Sequence, residues 1–517
     1  MAARGAILSR CSPASFSRRT RSSARAESTS RVRAVAPPEV VTFEVDADGM
    51  PASPAPASPA ARVLLVVGAG DSPLKYPPQL PPEYGSESGL VAWPVVAEQL
   101  RRRLAWMDPP CQATVLVAGE CEQSELAEAA QNADVFVAMG VTSDAEAEAV
   151  AASVSTIPTG VAFGSATALE DATRLLFMPA NALASIARTA APWSGAAKEG
   201  ALFEQVQELY SRGNHLDLFV AVQLLVNEVA FVPNVNAKDS LDASGLFCLF
   251  RYCTPRLVDC VKDDNCPKAL KGLEDTGLTD QTKAYTVIRS YESDAFQRLS
   301  LCINQKHNCL GNTATRPEEP AAPAITTFRG EPLTHEAAEE ILIGARGPDS
   351  PSSWMLVCGQ NPAYDEFPCQ FQMFYRGKAK KSIWYNPVFK VNTLDGREVW
   401  RRSDYKVTRD DVPGQYIFTF CDNGVTSREL WRIIGAADDL SYCVFYYAGA
   451  AETAGQAYIG AMIATPDGEF PSPEALPAIT AALKRGGLTW HEMISADNTN
   501  CAGAPLEPLH PDRDLPM

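Results

Sequence analysis

No run of apolar residues approaches the roughly 20 positions that a bilayer-spanning helix requires, so the expectation is a soluble or peripheral protein. Positive charge is also in deficit. Against 62 acids stand 45 lysines and arginines, a formal charge of −17, which argues against nucleic acid as a partner. Histidine is scarcer still, five in the whole chain and none within 351–468, which removes imidazole as a source of pH response there. No cysteine pair has CxxC spacing and no two histidines stand at ligand spacing, so a zinc site is not expected.

What is present divides along the chain. Residues 1–34 hold eight arginines, eight serines and one acid, Glu27, which is the composition of an organelle transit peptide. A Pro/Ala linker covers 35–61. From 62 to 235 short apolar runs ending near glycine, at 62–68, 113–119, 134–140 and 159–165, alternate with helix-like stretches at 89–107, 122–133, 143–155, 201–210 and 216–232. That alternation predicts a parallel sheet with covering helices. Gly68-Ala69-Gly70 follows the first run as a phosphate-binding turn would, but no third glycine and no helix start come after it. A structural or docking role fits this domain better than nucleotide binding.

Residues 236–315 carry Cys248, Cys253, Cys260, Cys266, Cys302 and Cys309 in a segment too polar for a large core, which suggests a disulfide-stapled module. Spacing alone leaves the connectivity open. A linker with an acidic helix at 334–345 fills 316–350.

Residues 351–502 read differently. Eight apolar segments, at 354–360, 369–376, 381–391, 397–407, 415–420, 428–434, 441–449 and 457–465, are separated by Asn361-Pro362, LDG (394–396), VPG (412–414) and DNG (422–424). No connection looks long enough for a helix, so consecutive strands should pair as hairpins and close into an up-and-down barrel around one small ligand. A helix at 472–486 should pack on its outside, and a tail fills 503–517. The predicted fold class is thus multidomain, α/β plus β: a parallel α/β domain, a cysteine-rich module and an eight-stranded lipocalin-like barrel.

Within RELWRII, Arg428 and Arg432 share one face by period-two alternation, while Glu429, Trp431 and Ile433 share the other. Arginines on a barrel strand face water, so Glu429 and Trp431 should face the lumen. A carboxyl among apolar walls stays protonated to higher pH, as a general acid must. As a strand-end glutamate salt-bridged at the rim, Glu429 would have no such role.

The runs NPAYDEFPCQ (361–370), TLDG (393–396), LW (430–431), FYYAG (445–449) and ADNTNC (496–501), with cysteine steps of five, seven and six from Cys248 and of seven from Cys302, resemble the violaxanthin de-epoxidase family of plastids. The resemblance covers about 230–502. Four cysteines of that family's module and its glutamate-rich tail are missing, and the α/β domain is extra, which points to a de-epoxidase-related branch.

The resemblance implies a plastid oxidoreductase of the xanthophyll cycle. A lipocalin barrel would bind a carotenoid epoxide and reduce it with ascorbate as co-substrate, with no metal and no flavin. The setting would be the chloroplast, at the thylakoid, with a peripheral membrane contact. It implies pairing of Cys248 with Cys266, Cys253 with Cys260, Cys302 with Cys309 and Cys369 with Cys501. It makes Glu429 and Tyr447 the acid–base pair on opposite walls, Trp431 a lining residue of the polyene channel, and Asp365 and Gln370 polar contacts at the mouth. Asp365 could instead form only a turn after Pro362. Pro368, Gln372 and Ala448 depart from the family's pattern, so any acid response must come from carboxylates. A chemically silent carotenoid or lipid carrier is the rival reading, and nucleotide binding by 62–235 is a third.

Overall fold

The computed structural model describes residues 59–173, 195–344, 352–377 and 382–509. The expected transit peptide, the linker up to residue 58, the end of the 316–350 segment and the tail from 510 onward lie outside the described residues.

Four strands form the parallel sheet: β1 (Arg62–Val67), β2 (Gln112–Val117), β3 (Val135–Met139) and β4 (Thr159–Phe163), in the order β2-β1-β3-β4. β1 and β3 are continuous apolar runs because both faces are covered. Helix α1 (Trp93–Ala105) packs Val96, Leu100 and Leu104 on Val63 and Leu65 of one face. Helices α2 (Gln123–Asn132) and α3 (Asp144–Val154) pack Leu126 and Val150 on Leu64 and Val66 of the other. After Gly70 the chain forms a short strand, Asp71–Lys75, paired with Leu90–Ala92. The space beyond β3 is filled by protein: a Cβ on Gly140 would lie 2.0 Å from the Trp93 indole nitrogen.

Helix α4 (Gly195–Ser211) leads to α5 (His215–Asn227), whose residues from His215 to Val226 are buried except Leu216. The helix stops five residues before the sequence pattern suggests. Asn227 Oδ1 accepts from Val232 N (2.9 Å) and closes a turn ahead of Pro233. The α/β domain meets the barrel at Glu492, whose side chain is wholly buried. Gln99 Nε2 (2.7 Å) and Gln360 Nε2 (3.0 Å) donate to it, and Arg103 stands 3.5 Å away.

In the cysteine-rich module the helical run Ala243–Val261, with a wide turn at Leu249–Cys253, lies against α8 (Asp294–Ser300) and the segment Leu301–Lys306. Helices α6 (Cys266–Thr276) and α7 (Gln281–Ser290) complete it. The bonds are Cys248–Cys309, Cys253–Cys302 and Cys260–Cys266, with Cα separations of 5.5, 5.9 and 5.2 Å. This corrects the pairing implied by the resemblance. Cys248 and Cys253 share one helical run and face the returning run, so their partners are the two distant cysteines. Cys369 is bonded to Cys501.

The barrel strands are β5 (Trp354–Gly359), β6 (Phe371–Arg376), β7 (Ser382–Asn392), β8 (Tyr405–Arg409), β9 (Gln415–Asp422), β10 (Val425–Ala436), β11 (Cys443–Ala451) and β12 (Gln456–Thr465). Each pairs antiparallel with the next, and β12 pairs with β5 to close the cylinder. Two expectations need correction. The run 397–407 is broken: Glu398–Arg402 pairs with the far end of β7 and Tyr405–Arg409 with its near end. Pro387 has no N–H for the ladder at that point, and Asn386 Nδ2 instead donates to Asp404 Oδ1 (3.1 Å). The β5–β6 connection does hold one helical turn, Pro362–Asp365, because Asn361 caps it and proline occupies its first position.

Helix α9 (His335–Ile343) closes one end of the barrel. Its Ile341 and Leu342 pack on Trp354, Phe374 and Ile383, and buried Glu339 holds Arg376 (2.6 Å) and Arg409 (2.5 Å). Helix α10 (Leu476–Arg485) packs outside on Ile434 and Val444. The cysteine-rich module covers the other end.

Candidate functional site

Below Trp431 the lumen is full. Phe374, Tyr385, Phe418 and Phe445 stack on one another and on the indole, with ring centroids 4.4 Å apart for Phe418 and Trp431. Above it a cavity of about 410 Å³ runs between barrel and module, a size suited to one small ligand. Trp431 is therefore a floor for the ligand more than a wall of a through-channel.

Glu429 and Trp431 point inward from β10, 5 % and 4 % exposed, while Arg428 is exposed and Arg432 only partly buried. Trp431 Nε1 donates to Glu429 Oε2 (2.5 Å) and Tyr458 Oη to Oε1 (2.7 Å). Burial nevertheless outweighs these bonds and raises the carboxyl to about 7. Tyr447 of β11 stacks on Trp431, centroids 5.1 Å apart. It stands on the strand next to Glu429, not on an opposite wall: Trp431 pairs with Tyr447 and Glu429 with Gly449. Two glycines make this crowding feasible. A Cβ on Gly449 would lie 2.7 Å from Glu429 Cγ, and one on Gly460 would lie 2.1 Å from the Tyr447 ring.

The mouth residues line the same cavity and also build its loop. Asp365, 2 % exposed, accepts from Asn361 N (2.7 Å), and burial with the nearby Glu429 charge raises it to about 8. Gln370 Nε2 donates to the carbonyls of Tyr364 and Phe367, both at 3.0 Å, and so braces the turn. Gln372 accepts from Tyr385 Oη. Tyr364 Oη is enclosed with no hydrogen-bond partner, which leaves it available to a bound molecule.

Sequence reasoning missed several members. Tyr458 was legible only in hindsight, as an inward tyrosine on the apolar strand β12, two residues before Gly460. Tyr285 and Arg289 of α7 had no local signal. Tyr285 Oη donates to Asp422 Oδ2 (3.0 Å), and buried Arg289 pairs with Asp422 (2.5 Å) and Glu292, which hold it protonated. Among the described residues no group of His, Cys, Asp or Glu side chains could hold a metal ion, and no helix is long and apolar enough to cross a membrane.

A closed eight-stranded meander, plugged at one end by a helix and holding a ligand-sized hollow at the other, is a lipocalin-type barrel. Residues 246–498 match the family model described as the VDE lipocalin domain. Through them the chain belongs to the violaxanthin de-epoxidase-related family.

It is 22 % identical over 287 residues to the chloroplastic violaxanthin de-epoxidase of Arabidopsis thaliana, covering 54 % of this chain and 58 % of that one. The corresponding protein of Nicotiana tabacum is 21 % identical over 284 residues, covering 53 % and 55 %. The chain thus spans a little over half the length of these curated relatives. Among solved structures, lobster apocrustacyanin A1 aligns at 11 % identity and a TM-score of 0.23, covering 35 % of this chain and 92 % of that one. The siderocalin Ex-FABP aligns at 12 % and 0.22, covering 28 % and 93 %.

Proposed function

We propose that this protein is a plastid oxidoreductase that removes the oxygen of a xanthophyll epoxide with ascorbate as reductant. The observation that supports it most is the buried carboxyl of Glu429, raised to about 7 and fixed above an aromatic floor. At neutral pH and below, such a group carries a proton that it can deliver into an apolar space. The overall reaction balances. Ascorbate gives up two electrons and two protons and becomes dehydroascorbate, while the epoxide becomes an alkene and its oxygen leaves as water.

In this reading Glu429 protonates the epoxide oxygen as the C–O bond breaks, and Tyr447, on the adjoining strand, relays a second proton. Trp431 carries the end ring of the ligand. Asp365 and Gln370 shape the mouth where ascorbate would enter, and Tyr364 Oη offers it a hydrogen bond. No metal or flavin is invoked. The chloroplastic names of the relatives, the arginine- and serine-rich leader and the four disulfides favour the plastid, at the thylakoid, with membrane contact at most peripheral. The α/β domain serves docking in this account.

The test is an incubation with violaxanthin and ascorbate from acidic to neutral pH, with pigments separated by chromatography. Glu429→Gln should abolish conversion and leave pigment affinity nearly intact. Pigment binding without conversion by the unaltered protein at every pH would leave the carrier reading in possession, for which Tyr458, and not Tyr447, bonding to Glu429 is the favouring observation.

A further inference from the structure

We infer that the cysteine-rich module is the second half of the ligand site: its inner face forms an apolar sleeve for the hydrocarbon part of an elongated molecule whose oxygenated end lies against the barrel. This rests on the reading that the cavity takes an apolar ligand, and it adds where the length of that ligand goes.

The barrel itself offers little depth, because rings pack the lumen beneath Trp431. The cavity instead continues upward and is walled by Leu270 and Leu273 of α6, Ile288 of α7 and Ile303 beyond α8. These four side chains are only half-buried although they face an enclosed space, so they have unspent contact area. The module's own core is made elsewhere, by Cys253, Cys260, Ala269, Phe296 and Leu299. Asp239 and Glu274, both exposed, mark the outer rim.

The two halves differ in chemistry. The barrel side presents Glu429, Asp365, Gln370 and tyrosine hydroxyls, and the module side presents leucine and isoleucine. A molecule with one oxygenated end and a long apolar body matches that polarity. The module is also held in register with the mouth. Tyr285 and Arg289 reach Asp422, Thr426 N donates to Gln305 Oε1 (3.0 Å), and Leu394 N donates to Ser290 Oγ (3.0 Å). A Cβ on Gly424 at the β9–β10 tip would lie 2.3 Å from Leu301 N, so that tip is pressed onto the helices.

Two probes with the same ring and different tails separate the halves: β-ionone, which is short, and retinol, which is long. Binding is read by tryptophan fluorescence on the full chain with its disulfides intact. Leu273→Asn with Ile303→Asn should weaken retinol about tenfold or more and leave β-ionone within about twofold, since only the sleeve contacts are lost. Leu270→Trp, which stays apolar but fills the sleeve, should do the same.

Circular dichroism and titration of thiols verify that each variant is folded and oxidised. If a folded variant binds both probes as the unaltered protein does, or loses both equally, the sleeve is refuted while an apolar site in the barrel stands. If the unaltered protein binds neither probe, both the sleeve and the apolar-ligand reading are refuted together.

Discussion

The carboxyl of Glu429 makes stability depend on pH in a direction opposite to that of a surface acid. Burial raises it from 4.5 to about 7. That gap of about 2.5 units, at roughly 1.4 kcal/mol each, means that ionised Glu429 costs the fold about 3 kcal/mol. Folded protein holds the proton more tightly than unfolded chain. The contribution is therefore fully favourable below about 4.5 and is lost as pH rises through about 7.

Glutamine at this position reproduces the protonated acid, with an oxygen to accept from Trp431 and an N–H to give to Tyr458 Oη. Glu429→Gln should then match the parent protein near pH 5 and exceed it by about 3 kcal/mol near pH 8. The assay is urea unfolding of both proteins at the two pH values, without reductant, followed by tryptophan fluorescence. Asp365 also sits above its ordinary range, but it is common to both proteins and largely cancels in the difference. A stability difference that stays the same from pH 5 to pH 8 would refute the claim that Glu429 is desolvated.

Two other outcomes follow from contacts far from this carboxyl. Replacing Cys369 and Cys501 by serine opens a loop of 132 residues and should cost about 4–5 kcal/mol in the chain-entropy model, measured by the same unfolding experiment. Burial holds His491 down to about 4 and His215 well below its usual value, with Arg102 and Arg103 nearby lowering them further, while Glu492 opposes this at His491. Neutral rings are thus required by the fold. As pH falls from about 6.5 to 4 the unfolded chain takes up protons that the folded one refuses, so the contact between α5 and the segment 489–492 should loosen. Hydrogen exchange in α5 should accelerate over that window, and exchange that is flat with pH would count against it.

Much of the architecture was legible because period and turn chemistry are local. Alternation placed Glu429 and Trp431 inside and Arg428 outside. NP, LDG, VPG and DNG marked the connections, and the apolar runs of β1 and β3 marked a sheet covered on both faces. Other features were decided by distant parts of the chain. The break at Ser403-Asp404 depends on Pro387 across the ladder, which the alternation of 397–407 does not register. The disulfide partners depend on which helical runs lie side by side, and cysteine spacing does not carry that.

At the site, Asp422 had looked like part of a DNG turn. Its pairing with Arg289 unites residues separated by 133 positions, and no pattern of nearby residues encodes such a meeting. The filled lower lumen was hidden for a related reason. Alternation tells which rings point inward, but not whether they meet in the middle.

The buried contact between Gln99 and Glu492 joins residues 393 positions apart. During synthesis the parallel sheet leaves the ribosome early, yet the acid that its first helix grips is among the last residues to emerge. Until then Gln99, Arg103 and the apolar helix after Asn214 have no finished surface to rest against. The N-terminal domain must therefore wait, incompletely covered, for almost the entire polypeptide, and a nascent chain arrested before residue 492 would expose that face to chaperones.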